Sequence, residues 1–345
     1  MNVVIIGGGF CGALLAKELD MEKNIAVTLI DKNPYFEYNP SAHKCITDPG
    51  YQKNIQVPFD QFLSNTSIIT ESVKEVTPTG IITESRHIDF DYAVLCVGSY
   101  YPVYLSSKQN VYTMSRSDEA KQIFKSLKNA KTVLLVGGGY VGTEIAGELA
   151  TKRSDLDIVF VQSHDRLLER NPLSVSTYAE KFLDKRDVQF LFNERVIAHP
   201  DENKYKTKSG KLIDADVCIW TTGTKVDTSF LRGFNQDLFE DSGHIKVNES
   251  LQLSGYPRLF AGGDITAIKE EKTARKAELH ALLIATNLKR IYQKKSLKSY
   301  RQGKSPMVIS LGDNHGVGQY GRLVIPGRLS GIAKWMIEWW TLKRL

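Results

Sequence analysis

The sequence predicts an α/β fold built twice on one plan, and three observations carry that prediction. First, residues 3–12 read V-V-I-I-G-G-G-F-C-G and residues 133–142 read V-L-L-V-G-G-G-Y-V-G, so a short apolar strand running into glycines occurs twice. Second, each glycine turn opens a helical pattern (about 12–19 and 142–151) followed by a second apolar run (26–30 and 158–161). Third, apolar strands ending in glycine close each unit: 91–98, D-Y-A-V-L-C-V-G, and 217–223, V-C-I-W-T-T-G. Strand–helix–strand units of this kind build parallel sheets flanked by helices. Two Rossmann-type dinucleotide-binding domains are therefore expected.

A third glycine-ended strand, 259–264 (L-F-A-G-G-D), comes after the second unit. The first domain is thus expected to be split, with residues 1–110 joined by 240–303 and the second domain, 111–239, inserted between them. Residues 304–345 form a C-terminal segment. The polar stretch 202–211 reads as a hairpin turning at Ser209-Gly210.

Composition limits the alternatives. A chain of 345 residues with 42% hydrophobic and 24% charged residues can bury a core and is not disordered. A net charge of +6 suits polyanionic cofactors or an anionic membrane surface and is too small to argue for nucleic acid. The N-terminal apolar run has no basic flank and is broken at once by glycines, so it reads as a core strand and not a leader. No apolar run reaches the ~18 residues that a membrane span needs. Cys11, Cys45, Cys96 and Cys218 contain no C-x-x-C pair, so neither a metal site nor a dithiol is expected. Cys96 and Cys218 lie within strands as buried thiols, which leaves Cys45 as the one candidate free thiol. Free thiols suit a reducing cytosol.

In Gly7-x-Gly9-x-x-Gly12 the glycines allow a tight turn, close approach of backbone to a pyrophosphate, and close helix packing. The helix N-terminus offers unpaired N–H groups to phosphate. Phe10 and Cys11 lie within this turn. Asp31, 19 residues after Gly12, is placed to accept from an adenosine ribose, with Lys32 beside it. Val73 and Gly98 belong to the same cofactor-contacting set. Asp264 suits a ribityl hydroxyl near the pyrophosphate, or simply forms a turn. Residues 272–288 show helical apolar spacing. Its N-terminus, with Lys272, Thr273 and Ala274, would stabilise negative charge on a reduced flavin, although Lys272 also reads as a solvated lysine.

The second turn, Gly137-x-Gly139-x-x-Gly142 with Tyr140 and Val141, forms the second cradle, closed by Gly223. Gln162 stands where an acid would select NADH, and His164 and Arg166 are near enough to meet a 2′-phosphate. NADH and NADPH are both permitted. Arg166 otherwise only solvates a loop. Glu144, in the first helical turn, lies either beside a nicotinamide carboxamide or on the surface as a dipole partner.

With V-L-C-V-G-S, W-T-T-G and A-G-G-D in this order, the chain resembles the two-dinucleotide-binding-domain flavoproteins over nearly its whole length. Within them it is similar to the apoptosis-inducing-factor-like branch that includes ferroptosis suppressor protein 1, itself similar to type II NADH dehydrogenases. G-G-G-Y-V-G-T-E, K-T-A-R-K-A-E-L-H-A and L-G-D-N-H-G-V-G-Q carry this likeness. The resemblance implies bound FAD, NADH or NADPH as donor, and a quinone as acceptor. It also implies that the branch's glutamate falls on Glu144 and its FAD-contacting aspartate on Asp264. Arg275 and Leu279 stand where the quinone-motif glutamines of type II dehydrogenases would align. Asn2 follows Met1, so this N-terminus is not a myristoylation site.

The tail is read as a membrane-associating segment. Leu329, Ile332, Trp335, Met336, Trp339, Trp340 and Leu342 share one helical face, with Ser330, Lys334, Glu338, Thr341 and Arg344 largely opposite. Tryptophans flanked by Lys343 and Arg344 suit a helix lying among lipid headgroups. Packing on the core or on a second copy of the chain is the alternative. The expected activity is hydride transfer from nicotinamide to flavin, then two electrons to a quinone, on a cytoplasmic, peripheral membrane protein. The rivals are a sulfide or disulfide reductase and a redox-switched binding protein.

Overall fold

The computed structural model describes residues 1–102, 110–201, 203–312 and 314–345. Glu202 of the expected hairpin and Asp313 of the tail motif lie outside the described residues. Two sheets organise the chain. The first orders its strands Gln252–Leu253, Tyr256–Ala261, Tyr92–Leu95, Asn2–Ile6, Ala26–Asp31 and Ser67–Thr70. The second orders Val111–Thr113, Val217–Trp220, Thr132–Val136, Asp157–Val161 and Gln189–Leu191. All neighbours are parallel except the Gln252–Leu253 edge. Strands such as V-V-I-I and V-L-L-V are buried on both faces, as central strands of a helix-covered parallel sheet must be.

The helices begin two residues earlier than their apolar spacing suggests, at Phe10–Asp20 and Tyr140–Lys152, because both start directly after the middle glycine of the turn. Phe10–Asp20 packs against Ala274–Tyr292. Buried Ala13, Ala16, Ala277 and Ala281 keep the facing surfaces low, and Leu15, Leu19, Ile284 and Leu288 fill the core. Each such leucine or isoleucine contributes roughly 1.5–3 kcal/mol by burial. The hairpin Lys204–Thr207 with Leu212–Asp214 is antiparallel, and Gly210 takes the left-handed conformation in its turn.

After Gly98 and Gly223, at the carboxyl ends of the two sheets, Tyr100 and Lys225 exchange a pair of backbone hydrogen bonds of 2.9 and 2.8 Å. Both glycines have positive φ, +72° and +64°. That geometry turns each chain out of its sheet toward the other. The carboxyl ends of parallel strands are where such sheets hold ligands, and this pairing brings those two edges side by side.

The tail forms a three-stranded antiparallel sheet, Met307–Ser310, Gly316–Tyr320 and Leu323–Gly327, followed by the helix Arg328–Lys343. It docks on the helix Tyr140–Lys152, where a Cβ on Gly147 would lie 2.7 Å from Leu311 Cα. The tail helix is mounted with its polar face inward: Ser330, Glu338 and Thr341 are buried. Leu329 is 72% exposed and Trp335, Met336 and Trp340 each about 55%.

Candidate active site

The two glycine turns are geometrically the same device. Gly7 and Gly137 take φ of +97° and +108° and donate to Ile30 O and Val161 O at 2.8 and 2.9 Å. A Cβ on Gly12 or Gly142 would fall 1.8 or 2.1 Å from the carbonyl oxygen of Gly7 or Gly137, so only glycine lets helix and turn close. Gly9 and Gly139 face open space, with no atom within 4 Å of a Cβ built on either. No side chain caps the helices that follow. Their first N–H groups are therefore free for phosphate.

Around the first turn, Asp31 Oδ2 accepts from Gly8 N at 2.7 Å and Oδ1 from Asn33 N at 2.8 Å, while Lys32 is exposed. The Phe10 ring meets Phe36 and Tyr38 edge-on at 5.2 and 5.5 Å. Cys11 is buried, and a Cβ on Gly262 would strike its Sγ at 2.4 Å, which explains the first glycine of A-G-G-D. Asp264 Oδ2 accepts from Ser99 Oγ at 2.7 Å. Thr273 caps the helix that opens at Ala274, its Oγ1 accepting from Lys276 N at 3.3 Å. Val73 starts a strand of a separate antiparallel sheet and is half-buried. Lys272 is not a solvated lysine: its Nζ donates to Thr266 O at 2.7 Å and Ile268 O at 3.0 Å. Burial lowers its pKa, with Asp264 and Glu270 opposing.

Around the second turn, Gln162 Oε1 accepts from Gly138 N at 3.1 Å, the contact Asp31 makes in the first unit. A neutral amide thus does the structural work of the acid without its charge. Arg166 is folded back, donating to Glu169 O at 2.7 Å and lying 3.6 Å from Asp165. Tyr140 and Val141 are half-buried, and the Arg170 guanidinium lies 5.5 Å over the Tyr140 ring.

Glu144 is buried, not a surface dipole partner. Its Oε1 accepts from Ser310 N at 3.0 Å and from Lys334 Nζ at 2.8 Å, and its Oε2 lies 3.8 Å from His43 Nδ1. Burial works to raise its pKa, but Lys334, His43 and the Ser310 amide together hold it below the ordinary value. Three separate pieces of chain therefore converge on this carboxylate. His43 and Lys334 carry no mark in the local sequence. The only hint of Lys334 was its place opposite the apolar stripe of the tail. His43 is fully buried, and its Nε2 has no hydrogen-bond partner among the described residues.

Beside Glu144 a cavity of about 620 Å³ opens under the tail helix, lined among others by Lys44, Tyr51, Glu148, Lys334, Trp335 and Glu338. Glu338 accepts from Ser41, Tyr51 and Lys44, so the tail helix completes a polar wall next to an indole rim. The four cysteines are all buried and free. Cys45 is wholly enclosed rather than accessible, and burial pushes its thiol up to about 12, too high for a neutral-pH nucleophile. No group of three or more potential metal ligands occurs among the described residues.

Two like cradles on two joined parallel sheets define a two-nucleotide oxidoreductase fold. The chain belongs to the pyridine nucleotide-disulphide oxidoreductase family, whose model matches residues 1–281. It is 30% identical over 352 residues to apoptosis-inducing factor homolog B of Dictyostelium discoideum, covering 92% of this chain and 89% of that one. It is 28% identical over 350 residues to ferroptosis suppressor protein 1 of Taeniopygia guttata, covering 97% and 92%. The structure of NDH2 from Plasmodium falciparum in complex with NADH superposes with a TM-score of 0.86 at 16% identity, covering 99% and 94%. FAD and NAD(P)H are the cofactors this family membership brings. The open space at Gly9 and Gly139 and the uncapped helices beyond them fit the two pyrophosphates.

Proposed function

We propose that the chain is an FAD-dependent NAD(P)H:quinone oxidoreductase, with FAD on the first cradle and the nicotinamide cofactor on the second. The observation that carries this reading is the Tyr100–Lys225 backbone pairing, which sets the carboxyl edges of the two sheets side by side. When bound, FAD supplies the two-electron chemistry; the protein supplies alignment and charge. Asp31 and Asp264 hold ribose and ribityl hydroxyls. Lys272 and the helix opening at Thr273-Ala274 bring positive potential to the flavin end. Glu144 orients the nicotinamide end, and Gln162 leaves room for either NADH or NADPH. The domain limits we assign are 1–110 with 240–303, 111–239, and 304–345.

The exposed apolar face of the tail helix, with Lys343 4.7 Å over the Trp339 ring, fits the surface of a membrane bordering the cytoplasm. A lipid-soluble quinone would reach the cavity beside Trp335 from there. No described helix is long and apolar enough to cross the bilayer. A second copy of the chain is the alternative cover for this face.

The test is to follow flavin absorbance through addition of NADH and then a short-chain quinone. Bleaching by NADH and recovery on quinone are expected. A colourless preparation that stays so with excess FAD, or NADH oxidation that quinones do not accelerate, would overturn the reading. Anionic vesicles should co-sediment the wild type but not a Trp335→Asp/Trp339→Asp variant. Loss of self-association instead would assign the face to a dimer.

A further inference from the structure

The turn carrying Asp264 is gripped from behind by a buried network that the activity above does not use. Glu270, whose side chain is 6% exposed, accepts from Lys276 Nζ at 2.8 Å, from His280 Nε2 at 3.1 Å and from Tyr300 OH at 3.0 Å. On its other edge, His280 Nδ1 accepts the backbone N–H of Gly263 at 3.0 Å. Gly263 has φ of +76° and immediately precedes Asp264. The tautomer follows from these contacts: Nε2 carries the proton, because it faces a carboxylate, and Nδ1 carries the lone pair, because it faces an N–H. Tyr300 closes the cluster edge-on to the imidazole at 4.5 Å.

We propose that His280 is a positioning residue for the flavin cradle, its unprotonated Nδ1 fixing the Gly263 amide and through it the direction of Asp264. This rests on the assignment of FAD to the first cradle. A protonated imidazole has no lone pair at Nδ1, so protonation and the Gly263 contact exclude each other. Burial lowers the His280 pKa to about 4 from 6.5, against the pull of Glu270, with Lys272 and Lys276 adding to the lowering. Among the described residues, Lys272, Lys276, Glu270 and Tyr300 face the ring, and Cys11 lies next to it on the helix packed alongside. The depressed value means that the gripped turn holds fewer protons than the released turn. The imidazole therefore stays neutral and the grip holds down to about pH 4; protonation below that breaks the Gly263 contact and weakens FAD binding.

The experiment measures the FAD dissociation constant of the full chain by flavin fluorescence at pH 7.5, 5.5 and 4.0, for wild type, His280→Asn and His280→Leu. Asn presents Oδ1 near the place of Nδ1, and it does not titrate. Wild type should hold its affinity from pH 7.5 to 5.5 and weaken by several-fold by pH 4.0. His280→Asn should bind within a few-fold of wild type at pH 7.5 and lose this slope. His280→Leu should bind at least tenfold more weakly at pH 7.5. Equal pH slopes in wild type and His280→Asn, or unchanged affinity in a folded His280→Leu, would overturn the proposal. If His280→Leu does not fold, as judged by circular dichroism, the slope of His280→Asn decides alone. A wild type that binds no FAD at any pH would instead overturn the cofactor assignment itself.

Discussion

Replacing Lys334 with Met should destabilise the chain strongly, and the size follows from what it leaves behind. Lys334 Nζ lies 2.8 Å from Glu144 Oε1, and both side chains are nearly buried, 12% and 8% exposed. Without the ammonium, Glu144 keeps, among the described residues, the Ser310 amide and a His43 whose own pKa burial lowers. Breaking a buried pair from one side typically costs about 3–5 kcal/mol. The Glu144 pKa lies below its ordinary 4.5 in wild type, so the stability it contributes is present above that pH and is lost as pH falls through the lowered value. In Lys334→Met the carboxyl is relieved by taking up a proton, so the loss should be larger at pH 7.5 than at pH 5.5. Urea unfolding of Lys334→Met, Glu144→Gln and the double variant forms the assay. A coupling energy of about 2 kcal/mol or more at pH 7.5 is expected. Additive single effects, with coupling under about 0.5 kcal/mol, would refute the reasoning.

Gly139→Val should fold and retain FAD, because a Cβ there meets nothing, yet it should raise KM for NADH by at least tenfold by filling the pyrophosphate space. Gly12→Ala should fail to accumulate as soluble flavoprotein, since its Cβ would overlap the Gly7 carbonyl oxygen. Gln162→Glu should lower kcat/KM for NADPH relative to NADH by roughly tenfold, the effect of about 1.4 kcal/mol of repulsion against a 2′-phosphate; an unchanged ratio would place the adenosine elsewhere. Cys45→Ser should keep quinone reductase activity with a modest fall in Tm, while loss of turnover in a folded Cys45→Ser would reinstate thiol chemistry.

What was legible in the sequence is what is local. The spacing Gly7-x-Gly9-x-x-Gly12 dictates a turn within six residues, so its repetition at Gly137 announces the second domain without any tertiary information. Asp31 and Gln162 follow from chain distance along a β-α-β unit, and they accept from the amides of Gly8 and Gly138, the residues between the first two glycines of each motif. The site's wall was not legible. Glu144 meets Lys334 across 190 positions, and His43 reaches it from a segment with no periodic pattern. The tail helix was read with two faces, of which Leu342 alone is misplaced, since it packs against the core, and the mounting stayed open because amphipathicity states which sides differ and not which one the protein keeps. Lys272 shows the same limit: its residue type suggested a charge for the flavin, and only the fold shows how much of its donor capacity is taken by two carbonyls.

The lock between the two sheets is made of amides. Tyr100 and Lys225 hold it through groups that every residue except proline possesses. Point substitution at either position, other than to proline, therefore leaves this pairing available. Adding or removing chain there would undo it, so the juncture tolerates changes of side chain far better than changes of length.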